Sequence, residues 1–453
     1  MPHPPLAIPE VAKGKEKAIE KTVAALEEAA KQIASLEPET ILFISPHAES
    51  YSDYFQVVDM EVGIGSFAEY KAPNVNFRLF YDRSLIQAIC AKAKDLSFPA
   101  GNEGSEEIYL DHGTMVPLYY INKYYRNFKA VRIGLSGLSL SEHYRFGQLI
   151  QEAIGELSRK VVIVASGDLS HALKDEKKEE DTKRAPIYDT RILKILESSN
   201  FSELLSFDRK TLSEAEECGH RAFCLMAGTL DRLSIAGKKL SYENVTGVGY
   251  AVLSYKVLGE NASRAFLELY RSKQSFAVKK EIEKADIYAK LARKAIETYV
   301  KKGVTITVDD SFPKELLTTK AGVFVTLRKD GEIRGCLGSL RPRTKNLGSE
   351  IISSAIAACS LDTRFPKVRK EELSLLSIAV DILSSPIPIL SINDLDPKKY
   401  GVVVEYGEKK GALLPNMPSI HTAEEQVMTA IYKAGIPEDA DVTLYRFAVA
   451  HHV

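Results

Sequence analysis

Four histidines in the first 171 residues each sit in a short segment flanked by proline or glycine, beside an apolar run. They are His3 in MPHPPL, His47 in ILFISPHAES, His112 in IYLDHGTMVPL and His171 in VVIVASGDLSHAL. Imidazole suits two tasks. Its neutral ring nitrogen ligates metals, and its ordinary pKa of about 6.5 lets it take and return protons near neutral pH. Two histidines and one carboxylate on a redox-capable metal keep coordination positions open, so that substrate and dioxygen can bind together, as in non-haem Fe(II) oxygenases. A further histidine close to such a metal can serve as base and then as acid.

These residues can cooperate only if the fold converges them. Residues 41–45 and 161–165 are continuous, β-branched apolar runs, the pattern of buried parallel strands. In an open α/β sheet, the loops at the carboxyl ends of such strands form the ligand crevice. An amphipathic helix over residues 15–36 precedes the first strand, with Ile19, Val23, Leu26, Ala30 and Ile33 at steps of three and four. Strand-like and helical segments then alternate through 75–81, 84–94, 116–125, 131–135, 142–158 and 161–165. Helical segments around 186–206 and 217–235 follow, and VGYAVLSYKVLG reads as a late strand. This grammar predicts an α/β N-terminal domain over residues 1–259, a mostly parallel or mixed sheet flanked by helices.

Residues 260–280 are charged and helical without a strand signal, and read as a linker helix. A second domain, 281–453, follows in an α+β style. A helix over 287–301 leads into GVFVTLRKDGEIRGCLGSL, a hairpin whose Asp330-Gly331 pair fits a type I′ turn. A helix over 347–360, a strand over 373–383, a second hairpin around 401–414 and a closing helix–strand pair complete it.

Composition limits the alternatives. At 453 residues the chain is too long for one ordinary core. Its 45% hydrophobic and 27% charged content is that of a soluble globular protein. A net charge of −1 supplies no field toward nucleic acid or an anionic membrane, and neither is expected as a partner. Cys90, Cys218, Cys224, Cys336 and Cys359 form no CxxC pair and no closely spaced framework, which argues against structural disulfides and a thiolate zinc site. The first residues lack the apolar core of a signal peptide, and no run approaches the ~20 apolar residues of a membrane span. A cytoplasmic protein is expected, and an oligomer is compatible with these features.

The histidine segments resemble the class III (LigB-type) extradiol ring-cleavage dioxygenases and the related Memo family. The resemblance covers residues 1–259 and implies roles. PHPPLAIPEV and ISPHAE would supply the metal ligands His3 and His47. ASGDLSHAL would supply the acid/base His171, and DHGTMVPL would place His112 beside the substrate. His3 can act only if the N-terminal segment is ordered, and chain ends are often loose. The family's carboxylate ligand should come from the start of a late helix, SEAEECGHRAFCLMAGTLDRL, where Glu216, Glu217, Cys218 and His220 crowd together. ECG resembles the Memo branch, in which cysteine replaces the carboxylate, so Cys218 is the first candidate and Glu217 the second. The metal implied is Fe2+, with Zn2+ or copper as alternatives, since a thiolate favours softer ions. A small aromatic or catechol-like substrate is implied for an oxidoreductase. The Memo-like alternative is a metal-binding, non-dioxygenase component of a modification system with a radical-SAM protein partner.

IRGCLGSL, CSLDTRFPKV, GALLPNMP and YKAGIP together resemble the family named for the AMME syndrome region, also called AmmeMemoRadiSam system protein A, over residues 281–453. A second candidate site lies there at Arg334, Gly335, Cys336 and Gly338. Glycines on both sides of Cys336 permit close backbone approach by a ligand or partner, and Arg334 could activate the thiol as a nucleophile. The alternative is a small strand residue whose glycines serve a bulge. Asp362 and Arg364 read as an ion pair capping a helix-to-loop transition.

Overall fold

The computed structural model describes residues 1–104, 107–173, 184–417 and 420–453, and the chain divides into two compact units, Met1–Arg271 and Ser272–Val453. The first is α/β. Its central parallel sheet places Thr40–Ser45 between Lys129–Gly134 and Val161–Ala165, with Thr40 paired to Lys129 on one side and Val161 on the other. The middle strand, TILFIS, is buried at every position, which is why its sequence is continuous rather than alternating. Helices Leu140–Leu157 and His220–Thr229 pack so closely that a Cβ on Gly147 would strike the Leu225 carbonyl, and one on Gly228 the Tyr144 carbonyl.

Three segments take forms that the alternation alone did not specify. Residues 75–81 fall mainly in Ala72–Phe80, half of an antiparallel hairpin with Val62–Phe67, where exposed and buried positions intermix because one face meets solvent. Residues 116–125 fall within helix His112–Tyr124 and its C-cap; its residues 113–118 are all buried, so no polar stripe marks it as helical. The segment 217–235 divides: helix His220–Thr229 ends, Arg232 takes a left-handed φ of 58°, and strand Leu233–Glu243 begins. That strand pairs antiparallel with Tyr250–Glu260.

The second unit is α+β. Its antiparallel strands run in the order Glu332–Ser339, Gly322–Lys329, Ser377–Leu383, Thr443–His452, Tyr400–Tyr406, Lys409–Leu413, and Ile387–Ile389 also joins Thr443–His452. Asp330 and Gly331 have φ of 55° and 79°, the two positive values a type I′ turn demands. Helices Ile287–Lys302 and Leu347–Ser360 supply Ala292, Ile296, Ile351 and Ala355 to a core with Val325 and Leu327. The strand read over 373–383 is shortened, since Lys370–Leu375 forms a 3-10 turn. Pro418, the last residue of GALLPNMP, lies outside the described residues. Between the strand-rich parts of the chain, residues 266–284 form one charged helix, Phe266–Lys284. Among the described residues, no helix is long and apolar enough to cross a membrane.

Candidate metal centre

The N-terminal segment is tied to the loop that follows Val161–Ala165. The Met1 amine donates to the Ala165 carbonyl at 2.8 Å, Gly167 N–H to the Met1 carbonyl at 3.1 Å, and His3 N–H to Asp168 Oδ1 at 2.9 Å. His3 is consequently ordered and only 2% exposed. Its ring is also oriented. Nδ1 lies 2.9 Å from Ser166 Oγ, whose single proton goes to the Gly113 carbonyl at 2.6 Å. The hydroxyl can therefore only accept from His3, so Nδ1 carries the proton and Nε2 presents a bare lone pair.

That lone pair faces two further donors. His47 Nε2 lies 3.0 Å away, and Cys218 Sγ lies 3.6 Å away. Metal–nitrogen bonds of about 2.0–2.1 Å and a metal–sulfur bond of about 2.3 Å would put sulfur and nitrogen about 3.6 Å apart on a tetrahedral ion, and two nitrogens about 3.3 Å apart. The donor set therefore fits a metal ion in both chemistry and spacing. Burial drives His3 down to about 4, against the opposing pull of Asp168; burial and then His112 lower His47. Both imidazoles are thus kept neutral, the form that binds metal. Burial pushes the Cys218 thiol well up, while the Asp168 N–H, donating to Sγ at 3.3 Å, works toward the thiolate.

His171 forms a second group with Asp168 and Cys218. Its Nδ1–H donates to the Glu216 carbonyl at 2.8 Å, which fixes the tautomer and turns Nε2 toward Asp168 Oδ2, 3.8 Å away. Interaction with Asp168 raises His171 above the ordinary imidazole value against the effect of burial. Burial works to raise Asp168 itself, but His3 and His171 outweigh it and hold the carboxyl low. Among the described residues, two groups bring metal-binding atoms within 4.8 Å of one another: His3, His47 and Cys218, and Asp168, His171 and Cys218.

His112 and Glu217 stand apart from these groups. His112 opens helix His112–Tyr124, with its ring centroid 4.1 Å from that of His47. Glu217 instead accepts the His220 backbone N–H at 2.5 Å, and His220 is buried with Nε2 against the Leu204 carbonyl at 2.9 Å.

Several contributors were not visible as such in the sequence. Gly167 and Gly219 approach so closely that a Cβ on Gly167 would collide with the Gly219 Cα, and this contact brings the Asp168 and Cys218 loops together. Gly113 leaves room for the Ser45 hydroxyl beside His47. Asp111 caps the His112 helix through Thr114 N–H at 3.0 Å and accepts from Ser45 Oγ. Asp168 and Ser166 do lie inside the SGDLSH segment, so the position of an acidic residue three before His171 was the available signal.

Comparison with known proteins identifies the domain that carries these residues. The profile of the family described as the catalytic LigB subunit of aromatic ring-opening dioxygenase matches residues 1–253. The chain belongs to the LigB family. A second profile, AMMECR1, matches residues 289–452, so the LigB domain is followed in the same chain by an AMMECR1 domain. The chain is similar along its whole length to protein CA_C1420 of Clostridium acetobutylicum, 39% identical over 460 residues, which cover 100% of this chain and 98% of that one. A Thermotoga maritima protein is 50% identical over 36% of this chain and 96% of its own. A crystal structure of the uncharacterized protein PH0010 from Pyrococcus horikoshii shares 33% identity, covering 37% of this chain and 90% of that one, with a TM-score of 0.35.

The AMMECR1 domain treats its cysteine differently from the LigB domain. A Cβ on Gly335 would strike the Ala358 carbonyl and one on Gly338 the Val323 carbonyl, so both glycines admit the domain's own backbone. Leu327 pairs with Gly335 and Arg328 with Ile333, leaving Arg334 as the extra residue of a bulge. The Arg334 guanidinium is committed to Glu372, with Nε and Nη2 each donating at 2.9 Å, and to the Pro366 carbonyl at 2.8 Å. Asp362 Oδ2 accepts Cys336 N–H at 2.9 Å, Arg364 Nη2 donates to the Cys336 carbonyl at 3.0 Å, and the two side chains pair at 2.7 Å. Because Glu332–Ser339 is an edge strand, this pair occupies backbone groups that another strand could otherwise use.

Proposed function

We propose that the LigB domain binds a divalent transition metal through His3, His47 and Cys218, and that His171 acts as its acid/base toward a small aromatic, catechol-like substrate. The observation that carries this reading is the convergence of His3 Nε2, His47 Nε2 and Cys218 Sγ within 4.8 Å. Fe2+ is the first candidate; once bound it would supply Lewis acidity toward substrate oxygens and one-electron chemistry. His171 Nε2 takes the hydroxyl proton. Its Nδ1–H stays on the Glu216 carbonyl, and Asp168, 3.8 Å from Nε2, stabilises the imidazolium that results. His47 and His171 lie toward solvent, so substrate meets them first, while His112 packs beside His47 and shapes that approach.

Cys218 favours a second reading. Glu217, the nearest carboxylate in sequence, is turned onto the His220 N–H, so sulfur takes the place of the oxygenase carboxylate. That donor set suits Zn2+ or copper and a Memo-like, non-dioxygenase component working with a radical-SAM partner. Anaerobic reconstitution of the full chain with Fe2+, Zn2+ or Cu+, followed by elemental analysis, tests the common element. His47→Ala should abolish bound metal, and unchanged stoichiometry in that variant would rule out the site. Oxygen uptake by the Fe2+-loaded protein across a catechol panel then separates the readings, because only the first predicts turnover.

A further inference from the structure

We infer that the LigB domain has a second cation subsite, formed by Asp168 Oδ2, His171 Nε2 and Cys218 Sγ, that shares the Cys218 thiolate with the first and binds a thiophilic divalent ion such as Zn2+. This deepens the metal-binding reading above and rests on it. The three donor atoms lie within 4.8 Å of one another. His171 is prepared as His3 is. The outward Nδ1–H is held by an acceptor that cannot donate, the Glu216 carbonyl, which leaves the inward Nε2 lone pair bare.

Asp168 divides its two oxygens between distinct tasks. Oδ1 accepts the His3 N–H at 2.9 Å, whereas Oδ2 lies 3.7 Å from His3 Nε2 and 3.8 Å from His171 Nε2. Those separations are too long for direct hydrogen bonds. They are shorter than the roughly 4.1 Å spanned by a metal–oxygen and a metal–nitrogen bond placed end to end, so an ion fits between Oδ2 and His171. Cys218 belongs to both groups, and a thiolate has lone pairs enough to bridge two ions. The Asp168 N–H at 3.3 Å stabilises sulfur in that charged state.

Charge orders the two events. One divalent ion with the Cys218 thiolate and the Asp168 carboxylate is locally neutral, so a second divalent ion finds no uncompensated negative charge left to attract it and binds more weakly. The part-exposed His171 side chain, at 34%, leaves the subsite open from solvent. Once filled, the subsite consumes the lone pair that His171 needs as a base, so excess zinc silences acid/base chemistry without displacing the first ion.

Equilibrium dialysis of the full chain against graded Zn2+, read by elemental analysis with circular dichroism as a folding control, tests this. Wild type should take two ions, the second at least about tenfold more weakly. His171→Ala and His171→Gln should each keep the tight ion and lose the weak one, while His47→Ala should lose the tight one. A single ion in wild type, unaffected by either His171 variant but lost in His47→Ala, would overturn the second subsite and leave the first standing. No ion in folded wild type would overturn both.

Discussion

The LigB and AMMECR1 domains each set a half-buried cysteine among glycines and charged side chains, yet the two neighbourhoods are built oppositely. Around Cys218, the hydrogen bonds run outward: Ser166 holds His3, Glu216 holds His171, and the freed lone pairs face a common space. Around Cys336, the bonds run inward. Asp362 and Arg364 close onto its own backbone, Arg334 onto Glu372, and the glycines onto neighbouring carbonyls. The difference lies in where donors and acceptors are spent. A site for a ligand keeps some of them in reserve, and a structural knot keeps none.

The largest expected effect therefore belongs to the knot. Glu372 is 4% exposed and receives Arg334 and Lys329, so Glu372→Ala strands buried positive charge and should cost about 3–5 kcal/mol, visible as a collapse of the AMMECR1 transition in calorimetry. A loss below about 1 kcal/mol would mean that those cations are satisfied without the carboxylate.

The same residue sets an acid limit. Burial works to raise Glu372, but Arg334 and Lys329 prevail and bring it down from its ordinary 4.5 to about 2. A carboxylate depressed in the folded state contributes stability that is fully present above the ordinary value and lost as pH falls through the folded one. AMMECR1 stability should accordingly decline between pH 4.5 and about 2, by up to about 3 kcal/mol from this group. Glu372→Gln should flatten that decline.

Much of this arrangement was legible beforehand, for identifiable reasons. The parallel strands announce themselves because residues 41–45 and 161–165 are continuous and apolar, although Val161, Val162 and Ile163 are only partly buried, and the hairpin turn because Asp330-Gly331 suits the positive φ it needs. Helix His112–Tyr124 was harder to read, since its first turns are buried all round and erase the 3.6-residue period. The four histidines and Cys218 stood out by type. Asp168 and Ser166 did not, because their importance comes from the contact of Gly167 with Gly219 and from a proton directed to Gly113, neither of which local sequence encodes.

Ser166 of the LigB domain gives a smaller effect. Ser166→Ala removes the acceptor that fixes the His3 tautomer while leaving every proposed ligand in place. Loss of such an outer partner should weaken metal binding about 10–100-fold, measured by competition with a chromophoric chelator. Unchanged affinity would mean that the His3 ring is oriented by packing alone.

The two half-buried cysteines should respond differently to one and the same substitution. Cys336→Ser exchanges a weak thiol donor for a hydroxyl beside the Thr326 hydroxyl, 3.2 Å from the sulfur, and leaves the Asp362 and Arg364 clamp on the backbone untouched. It should shift stability by less than about 1 kcal/mol and leave the metal content of the chain unchanged. Cys218→Ser makes the same atomic change where the sulfur lies 3.6 Å from a bare imidazole nitrogen, and it should strip thiophilic metal from the protein. If both variants lost metal equally, or neither did, the distinction between reserved and spent donors would fail, since it predicts that one sulfur-to-oxygen exchange matters in the first domain and not in the second.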